Sequence, residues 1–432
     1  MIFMENDYSM QKEKKEHILV ISSADPTKGP GVIGMDMYDA FLERGYSVDM
    51  LTTYRVKSRP DVRYIYKKPS RWRSFRFKFY WRLSPKPDRS YCFFYRKESF
   101  PPISCSKVLA ALGEHYDRIV ILFWQEMLSF RTVLELHRKY HSRFYFVCAD
   151  YSPMSGGCHF TGDCHRFKSG CGACPAFHSV DPKDFTHWNV EYRKKVYELV
   201  RPVLYANTYM IENFFKKSIL LKNQNLQKLP TILDLKFYHP IDKYEACTHF
   251  GLPLNKRNVI VFGCQNLTDP RKGIVEFLFD SLDRVYEHLT EDERQQTMVV
   301  YAGKDGENFS SHFKFENYYI GSLNPEDLPF FYSAATMFVC PSVNDAGPSM
   351  VYQAMACGTP VVAFAMGAAL DAVRGRNTGY CARLKDADDL AQGMLHEIQL
   401  TPEQYRQQSN ECIAVAEALT SKEAFVKAII NN

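Results

Sequence analysis

The stretch MFVCPSVNDAGPSMVYQAMACGTPVVAF, residues 337–364, contains a strand, a turn, a helix and a second strand in immediate succession. The apolar run Met337–Pro341 predicts a buried strand, and the polar Ser342–Gly347 predicts the turn that follows it. Pro348 suits the first position of a helix, and Gly358 suits the position just past its end. Strands that alternate with helices in this way predict a parallel sheet and therefore an α/β fold.

The start of this helix is a candidate anion site. A helix that begins at the carboxyl end of a parallel strand offers free backbone N–H groups, and these groups and the helix dipole favour a diphosphate. We expect Asp345 and Gln353 to hydrogen-bond a sugar hydroxyl and a ribose hydroxyl, and Gly347, Pro348 and Ser349 to contact the bound group. The alternative is a plain crossover helix with a solvated loop.

A second loop between a strand and a helix contains Asp269-Pro-Arg-Lys-Gly273. Its adjacent cations, Arg271 and Lys272, could neutralise a diphosphate leaving group without a metal ion. A solvated basic turn is the alternative. Two such loops in one αβ domain strengthen the interpretation of each.

The same alternation of strands and helices covers most of the chain. Asn258–Gly263 and Met298–Ala302 predict further strands of the sheet that contains residues 337–364. Near the amino terminus, His17–Ser22 predicts a strand, a loop that includes Gly31 follows it, and Ser47–Leu51 predicts the next strand. This opening is typical of a Rossmann-like sheet.

The length of 432 residues predicts two domains of about 200 residues each. We expect a flexible tail over 1–16, an N-terminal Rossmann-like domain over 17–238 and a C-terminal Rossmann-like domain over 239–400. Residues 401–432 predict a helical segment.

Four cysteines fall within 17 residues, and the last two form a Cys-Gly-Ala-Cys motif; they are Cys158, Cys164, Cys171 and Cys174. A Cys-x-x-Cys pair is common in structural zinc sites. The first pair, however, has a wider spacing than usual zinc ligands, so reduced structural thiols are the alternative. A redox role is disfavoured because the Cys-x-x-Cys motif does not open a helix in a thioredoxin-like pattern.

The segment 63–97 contains twelve Lys or Arg residues, twelve aromatic residues and a single acidic residue, Asp88. A basic surface rich in aromatic rings suits an anionic membrane interface. The alternatives are an insertion whose rings pack on the domain, and a nucleic-acid backbone contact.

The overall composition narrows the class of protein. Hydrophobic residues at 46% and charged residues at 24% are globular values, which exclude a mainly disordered chain. No signal-peptide pattern and no run of 18 apolar residues is present, so we expect a cytoplasmic protein with mostly reduced cysteines. A net charge of +5 suits nucleotide diphosphates or acidic lipids and is too small to indicate nucleic acid by itself.

With these motifs in hand, the sequence resembles glycosyltransferase family 4, the retaining enzymes of the GT-B fold, over roughly residues 17–400. The resemblance rests on Ser155–Phe160 with Gly170–Pro175, on Asp269–Gly273, and on the run from Pro341 to Val362. It points to the branch that builds bacterial capsular, exopolysaccharide or O-antigen repeats.

The resemblance implies two Rossmann-like domains facing a cleft, with the acceptor bound by the domain over 17–238 and the nucleotide-sugar by the domain over 239–400. It also implies metal-independent chemistry and a last helix that crosses back to the N-terminal domain. It implies that Arg271 and Lys272 stabilise the departing diphosphate, that Gln353 holds the ribose and that Asp345 lies near the donor sugar. Gly31 would approach the donor phosphates or the acceptor. The chain departs from the family by having Gln353 in place of a glutamate.

A second departure lies before the Ser155–Phe160 motif. There the family has His-Asp, whereas this chain has Ala149-Asp150. Asp150 is retained as a candidate polar group in the cleft.

The leading hypothesis is a hexosyltransferase in surface-polysaccharide assembly. It would take a nucleotide-sugar donor and a saccharide or polyprenyl-linked saccharide acceptor, at the inner face of the plasma membrane. A catalytically degenerate binding or scaffold protein is the second hypothesis, prompted by Ala149 and Gln353. A metal-dependent nucleic-acid binder is the third and least favoured.

Overall fold

The computed structural model describes residues 16–27, 29–65, 87–88, 92–93, 97–347 and 349–432. Two parallel sheets, each flanked by helices, form two α/β halves of the chain. The prediction of two α/β domains built on parallel sheets is confirmed.

The first half contains a seven-stranded parallel sheet in the order β3-β2-β1-β5-β6-β8-β9 and a small antiparallel pair, β4-β7. Its described strands are β1 (His17–Ser22), β2 (Ser47–Thr52), β3 (Arg63–Tyr64), β4 (Cys92–Phe93), β5 (Arg118–Leu122), β6 (Arg143–Cys148), β7 (Cys158–Phe160), β8 (Val203–Ala206) and β9 (Asn225–Lys228). Its described helices are α1 (Val32–Glu43), α2 (Cys105–Ala110), α3 (Phe130–Tyr140), α4 (Phe185–Val200) and α5 (Tyr209–Lys217).

The second half contains a six-stranded parallel sheet in the order β12-β11-β10-β13-β14-β15. Its strands are β10 (Asn258–Asn266), β11 (Thr297–Lys304), β12 (Glu316–Gly321), β13 (Met337–Cys340), β14 (Val361–Phe364) and β15 (Gly379–Ala382). The helices of this part are α6 (Lys243–His249), α7 (Phe279–His288), α8 (Glu291–Gln295), α9 (Leu328–Ser333), α10 (Ser349–Ala356), α11 (Ala369–Ala372), α12 (Ala387–Ile398), α13 (Pro402–Leu419) and α14 (Lys422–Ile430).

The strand order fixes where a ligand is expected to bind. In the second sheet the order runs from β10 outward to β12 on one side and from β13 outward to β15 on the other. Open parallel sheets bind ligands at such a reversal point, outside the carboxyl ends of the strands. The loops after β10 and β13 are therefore the ones that the fold places at the expected site.

The last helix belongs to the first half by its packing. In α14, Phe425, Val426 and Ile429 are buried in the same apolar cluster as the central strand β1. Arg118 of β5 donates to the Ile429 carbonyl at 2.7 Å, and Tyr205 of β8 donates to the Ala428 carbonyl at 2.6 Å. The chain thus returns from the second half to the first half at the connection between α13 and α14.

A buried carboxyl group lies close to this second crossing. Burial raises the pKa of Asp36, in α1, to about 7, and Lys422 only partly offsets the effect while Asp234 adds to it. The unfolded chain ionises Asp36 near pH 4, whereas the folded chain keeps it protonated up to about pH 7. The free energy of unfolding therefore falls as the pH rises from about 4 to about 7, because the unfolded chain releases the Asp36 proton first.

We expect Asp36→Asn to leave stability almost unchanged at pH 4 and to raise the melting temperature at pH 8. Thermal unfolding of wild type and variant across pH 4–8 measures the difference. Asp163→Asn is the control, because Asp163 is exposed and is not among the charged groups that shift the pKa of Asp36. A difference in melting temperature between wild type and Asp36→Asn that stays constant from pH 4 to pH 8 would contradict the raised pKa of Asp36.

Candidate active site

Two loops meet at the carboxyl edge of the second sheet, at the reversal point between β10 and β13. The amide of Val343 donates to the carbonyl of Arg271 at 2.8 Å, which links the loops directly. Gly273 has a φ of +65°, and a Cβ at this position would lie 2.2 Å from the carbonyl oxygen of Pro341. Only glycine allows both the backbone conformation and the close approach.

Lys272 and Asp345 form an ion pair between the two loops. Lys272 Nζ lies 2.6 Å from Asp345 Oδ2, and both side chains are mostly buried. Burial would lower the pKa of Lys272, but the adjacent carboxylate more than compensates and raises it. Burial would raise the pKa of Asp345, but Lys272 and the Gly347 amide lower it. Both groups are therefore charged at neutral pH.

Arg271 lies where the two halves of the chain meet. Its guanidinium pairs with Asp269 at 2.5 Å, within its own loop. The guanidinium carbon also lies 4.5 Å from the centroid of the Phe160 ring, which belongs to β7 of the first half. A cation over an aromatic face is attracted by the ring quadrupole. Arg271 therefore faces the first half, whereas Lys272 faces Asp345.

These loops combine the features of an anion site. Helix α10 begins directly after the loop that follows β13, so its first N–H groups add partial positive charge beside Lys272. A narrow cavity lies against Lys272 and is also lined by Gly263, Cys264 and Ser342.

The first half contributes a buried polar cluster around Asp150. Asp150 is almost completely buried and accepts hydrogen bonds from Gln125 Nε2 and the Ser152 amide, each at 2.7 Å. His159 Nδ1 also lies 2.7 Å from Asp150 Oδ2. Three contacts on one carboxylate fix both the loop after β6 and the His159 ring. Phe160, which follows His159, is the residue under Arg271.

Gly347 lies against the first half of the chain. A Cβ there would lie 2.8 Å from Thr208 Cγ2, and Thr208 Oγ1 donates to the Ala346 carbonyl at 2.9 Å. The loop after β13 is thus held between the two halves. Ser349 is the first residue of α10, and the predicted Pro348 lies outside the described residues.

The other two predicted donor-binding residues have contacts of their own. Gln353 is partly buried in α10, and its Oε1 accepts a hydrogen bond from Tyr332 at 3.0 Å. Gly31 precedes α1, and a Cβ there would lie 1.9 Å from the carbonyl oxygen of Asp25. The structure therefore brings together Arg271, Lys272, Asp345 and Gly347, whereas Asp150 lies in its own cluster.

Sequence reasoning missed two features of this region. The first feature is the contact of Gln125 and His159 with Asp150. Sequence alone did not indicate this contact, although His159 belongs to the Ser155–Phe160 motif. Glu98 and Arg193 form a fully buried ion pair at 2.5 Å. Arg193 also donates to the Ser152 and Ser155 carbonyls, which anchors the loop between Asp150 and His159. No local pattern signals a pair that is 95 residues apart in sequence.

The four predicted zinc ligands lie near one another as free thiols, namely Cys158, Cys164, Cys171 and Cys174. Burial raises the pKa of Cys158 well above its usual range and that of Cys174 to about 11. Within the described parts of the chain, no group of three or more His, Cys, Asp or Glu side chains is arranged to hold a metal ion. The geometry thus gives the zinc prediction no support, and it stays a prediction.

The basic aromatic segment 63–97 lies mostly outside the described residues. Within the described ranges, no helix has the length and apolarity needed to cross a bilayer. Asp88 is described, and its amide donates to the Ala176 carbonyl at 2.7 Å. The membrane contact predicted for this segment therefore stays a prediction.

Residues 266–411 match the family model described as Glycosyl transferases group 1. The matched segment includes Arg271, Lys272 and Asp345. A stretch of 54 residues is 44% identical to the D-inositol 3-phosphate glycosyltransferase of Salinispora arenicola. It covers 12% of this chain and 12% of the length of that relative.

Solved structures resemble the whole chain. The sucrose-phosphate synthase of Thermosynechococcus elongatus is 18% identical with a TM-score of 0.67, over 96% of this chain and 98% of that one. HepE of Anabaena, solved with UDP and glucose, is 13% identical with a TM-score of 0.63, over 96% and 98%. WaaG, a glycosyltransferase involved in lipopolysaccharide biosynthesis, is 14% identical with a TM-score of 0.60, over 96% and 100%. Identities this low establish the fold alone.

Together, these comparisons show that the chain has the GT-B fold. The prediction of this fold is confirmed. The family match places residues 266–411 among the group 1 glycosyltransferases.

Proposed function

We propose that the protein is a retaining glycosyltransferase that moves a hexosyl group from a nucleotide-sugar to a saccharide acceptor. One observation carries the proposal. The loops after β10 and β13 place Lys272, Arg271 and Asp345 together at the reversal point of the second sheet. These residues lie in the segment that matches the group 1 glycosyltransferases.

The donor diphosphate would bind by exchange of ion-pair partners. Without donor, Lys272 is neutralised by Asp345 at 2.6 Å. The diphosphate would replace this carboxylate, which would then accept a hydrogen bond from a donor-sugar hydroxyl. As the glycosidic bond breaks, negative charge grows on the diphosphate, and Lys272 and Arg271 stabilise that charge more in the transition state than in the ground state.

The remaining donor contacts are assigned by position. Gly347, Pro348 and Ser349 would offer backbone groups to the phosphates at the start of α10. Gln353 would hydrogen-bond the ribose, after exchange of its contact with Tyr332. Gly31, at the start of α1, would line the opposite side of the site.

The acceptor would bind to the first half, at the Asp150 cluster. His159 is oriented by Asp150 and adjoins Phe160, the ring that contacts Arg271. A hydroxyl held by His159 or Asp150 would therefore face the loop that contains the leaving-group cations. Retention of anomeric configuration follows from the resemblance to family 4 and would be measured as the anomeric form of the product.

The acceptor class and the location follow from the sequence. We propose a polyprenyl-linked saccharide acceptor at the inner face of the plasma membrane, with segment 63–97 on anionic lipid. Surface-polysaccharide assembly is the corresponding pathway, and the involvement of WaaG in lipopolysaccharide biosynthesis is in keeping with it. Nucleic acid is not a proposed partner.

Catalysis would need no divalent metal, because Arg271 and Lys272 could neutralise the leaving diphosphate once they exchange their present partners. Retained turnover in a chelator would agree with this assignment. Zinc at the four cysteines is a separate structural prediction, and metal analysis of the purified protein measures it.

The test is a panel of UDP-, GDP-, ADP- and dTDP-linked sugars. We expect one donor class to raise the melting temperature and to release its nucleotide slowly by hydrolysis, because a water molecule can replace the acceptor. HepE was solved with UDP and glucose, so UDP-glucose is the first donor to try. No stabilisation and no release with any donor, also in the presence of saccharide acceptors, would reject the proposal in favour of a degenerate binding protein.

A further inference from the structure

A buried tyrosine lies between the Asp150 cluster and the donor loops, and none of the roles assigned above uses it. Tyr151 is 3% exposed, and its amide donates to the His159 carbonyl at 3.1 Å. Among the described residues, its hydroxyl has a single hydrogen-bond contact, with the sulfur of Met210 at 3.9 Å. A thioether is a weak acceptor, whereas a buried tyrosine hydroxyl usually has a strong one. The hydroxyl of Tyr151 is therefore available to a better acceptor nearby.

The Tyr151 ring packs on the aromatic ring that contacts Arg271. Its centroid lies 5.8 Å from that of Phe160, in an edge-to-face arrangement, and 5.1 Å from that of Phe214. The other neighbour of Phe160 is the Arg271 guanidinium, 4.5 Å from the ring centroid. A single ring thus separates Tyr151 from the loop after β10.

The loop after β13 enters the same apolar cluster. Ala346 of this loop is 1% exposed and is buried in the cluster that contains Tyr151 and Phe160. Asp345 precedes Ala346 in the chain. Burial raises the pKa of Tyr151, and the Asp345 carboxylate raises it further, an effect that a charge has only on a group close to it. Both donor loops therefore reach Tyr151, one through Phe160 and the other through Ala346.

Asp345 would need a new partner in the proposed mechanism. It now pairs with Lys272 at 2.6 Å and accepts from the Gly347 amide at 3.2 Å. Once a diphosphate has taken Lys272, a mostly buried carboxylate is left without its counter-charge, which is costly. Arg271, whose charge also lowers the pKa of Asp345, would be engaged by the diphosphate as well. A hydroxyl that donates to the carboxylate would offset part of the cost, since hydrogen bonds to charged groups are the stronger ones.

We propose that Tyr151 is a positioning residue for Asp345. Its hydroxyl exchanges the Met210 sulfur for the Asp345 carboxylate when a diphosphate occupies Lys272, and it holds this carboxylate toward the donor sugar. The role in donor binding rests on the proposed function, whereas the contact between Tyr151 and a released Asp345 does not. Because the Tyr151 amide contacts His159, the same residue joins the donor loop to the acceptor side of the site.

The first test needs no donor, because Lys272→Ala releases the Asp345 carboxylate in the empty protein. We expect Tyr151→Phe to lower the melting temperature by less than about 1 °C in wild type and by about 3 °C or more in the Lys272→Ala variant. In the variant that combines Lys272→Ala with Asp345→Asn, the effect of Tyr151→Phe should again be small, because the charge is gone. The control is Tyr197→Phe, in the same apolar cluster, where the hydroxyl donates to the Pro153 carbonyl at 3.2 Å. Its effect should be equal in all three backgrounds.

The second test is calorimetric titration with the donor identified by the panel. We expect Tyr151→Phe to weaken donor binding at least about fivefold, because the released carboxylate loses its hydrogen bond. In an Asp345→Asn background the same substitution should change donor affinity less than twofold. Tyr197→Phe should change donor affinity less than twofold in either background. A purely structural role of Tyr151 would weaken donor binding to the same extent with and without the Asp345 charge.

Two results would overturn the inference. One is an equal effect of Tyr151→Phe on the melting temperature in the wild-type and Lys272→Ala backgrounds. The other is a donor affinity that Tyr151→Phe leaves unchanged, or lowers equally in the Asp345→Asn background, and this titration decides alone if Lys272→Ala does not fold. Coupling of Tyr151 to Asp345 in a protein that binds no donor would support the contact and reject the transferase proposal, so the two can fail separately.

Discussion

Replacement of both Arg271 and Lys272 with alanine is expected to lower transferase turnover about a thousandfold or more. Loss of one preorganised group that stabilises developing charge typically costs 10²–10³ in rate, and here two adjacent cations are lost. A thousandfold loss corresponds to about 4 kcal/mol of transition-state stabilisation. Initial rates with the donor identified by the panel, at saturating acceptor, measure the effect.

The matched control is a second Arg and Lys pair in the same domain. Arg294 and Lys314 precede β11 and β12, at the amino edge of the sheet and opposite the candidate site. Both lie beside the Tyr286 ring on the surface. Arg294→Ala with Lys314→Ala makes the same change in net charge, and we expect turnover within about twofold of wild type. Undiminished turnover in the variant that lacks both Arg271 and Lys272 would contradict the role assigned to these two residues.

Loss of Lys272 is also expected to lower stability, because the mostly buried Asp345 carboxylate would lose its counter-charge. A further variant separates the two effects. Lys272→Ala combined with Asp345→Asn removes the uncompensated charge, so its melting temperature should recover toward the wild-type value. Turnover should stay low, since Arg271 is then the only one of the two assigned cations that remains for the leaving group. Recovery of both quantities together would mean that Lys272 acts only on folding.

The Lys272–Asp345 pair also gives the donor site a defined resting state. A mostly buried lysine needs a counter-charge, and Asp345 supplies it when no diphosphate is present. In the proposed mechanism, the donor diphosphate would replace the Asp345 carboxylate as the counter-charge of Lys272, so that Lys272 would keep an anionic partner throughout. This exchange would couple the arrival of the diphosphate to the release of Asp345 toward the sugar.

Local sequence pattern was sufficient to locate several strands of both sheets. The apolar run at His17–Ser22 predicted a strand with the bounds of β1, and the second strand predicted within residues 337–364 is β14. Asn258–Gly263 was predicted too short, since β10 continues to Asn266 through polar residues that hydrophobicity cannot assign. The helix predicted after the Asp269–Gly273 loop begins as a π-helix over Ile274–Leu278, which local pattern does not distinguish from an α-helix.

The contacts of the first half could not be predicted in the same way. Asp150 was singled out through a family resemblance, but its partners Gln125 and His159 lie 25 and 9 residues away. Such a cluster depends on how β5, β6 and β7 are placed in three dimensions. Periodicity describes one element at a time and contains no information on the distance between elements.

Loss of one partner from the buried pair of Glu98 and Arg193 is expected to destabilise the first half strongly. Both side chains are 1% exposed, with 2.5 Å between Arg193 Nε and Glu98 Oε1. Glu98 Oε2 also accepts from the Phe130 amide at 2.7 Å. Replacement of Arg193 with methionine leaves a carboxylate buried without its cation, which typically costs about 3–5 kcal/mol. Denaturant unfolding of the purified variants measures the loss.

Two comparisons make this prediction specific. Arg138→Ala removes an exposed pair with Glu135 on α3, and exposed pairs contribute about 0–1 kcal/mol, so its free energy of unfolding should hardly change. The double variant Glu98→Leu with Arg193→Met removes both charges and should recover much of the loss. A cost below about 1 kcal/mol for Arg193→Met would show that the pair is not buried as the structure places it.

The double variant also separates stability from function. Arg193 donates to the Ser152 and Ser155 carbonyls, which belong to the loop between Asp150 and His159. If this anchor positions the acceptor site, the refolded double variant should keep donor affinity and show a raised KM for acceptor. Donor affinity should be spared because the donor loops belong to the other domain. Wild-type KM for acceptor in a stably folded double variant would limit the pair to a role in folding.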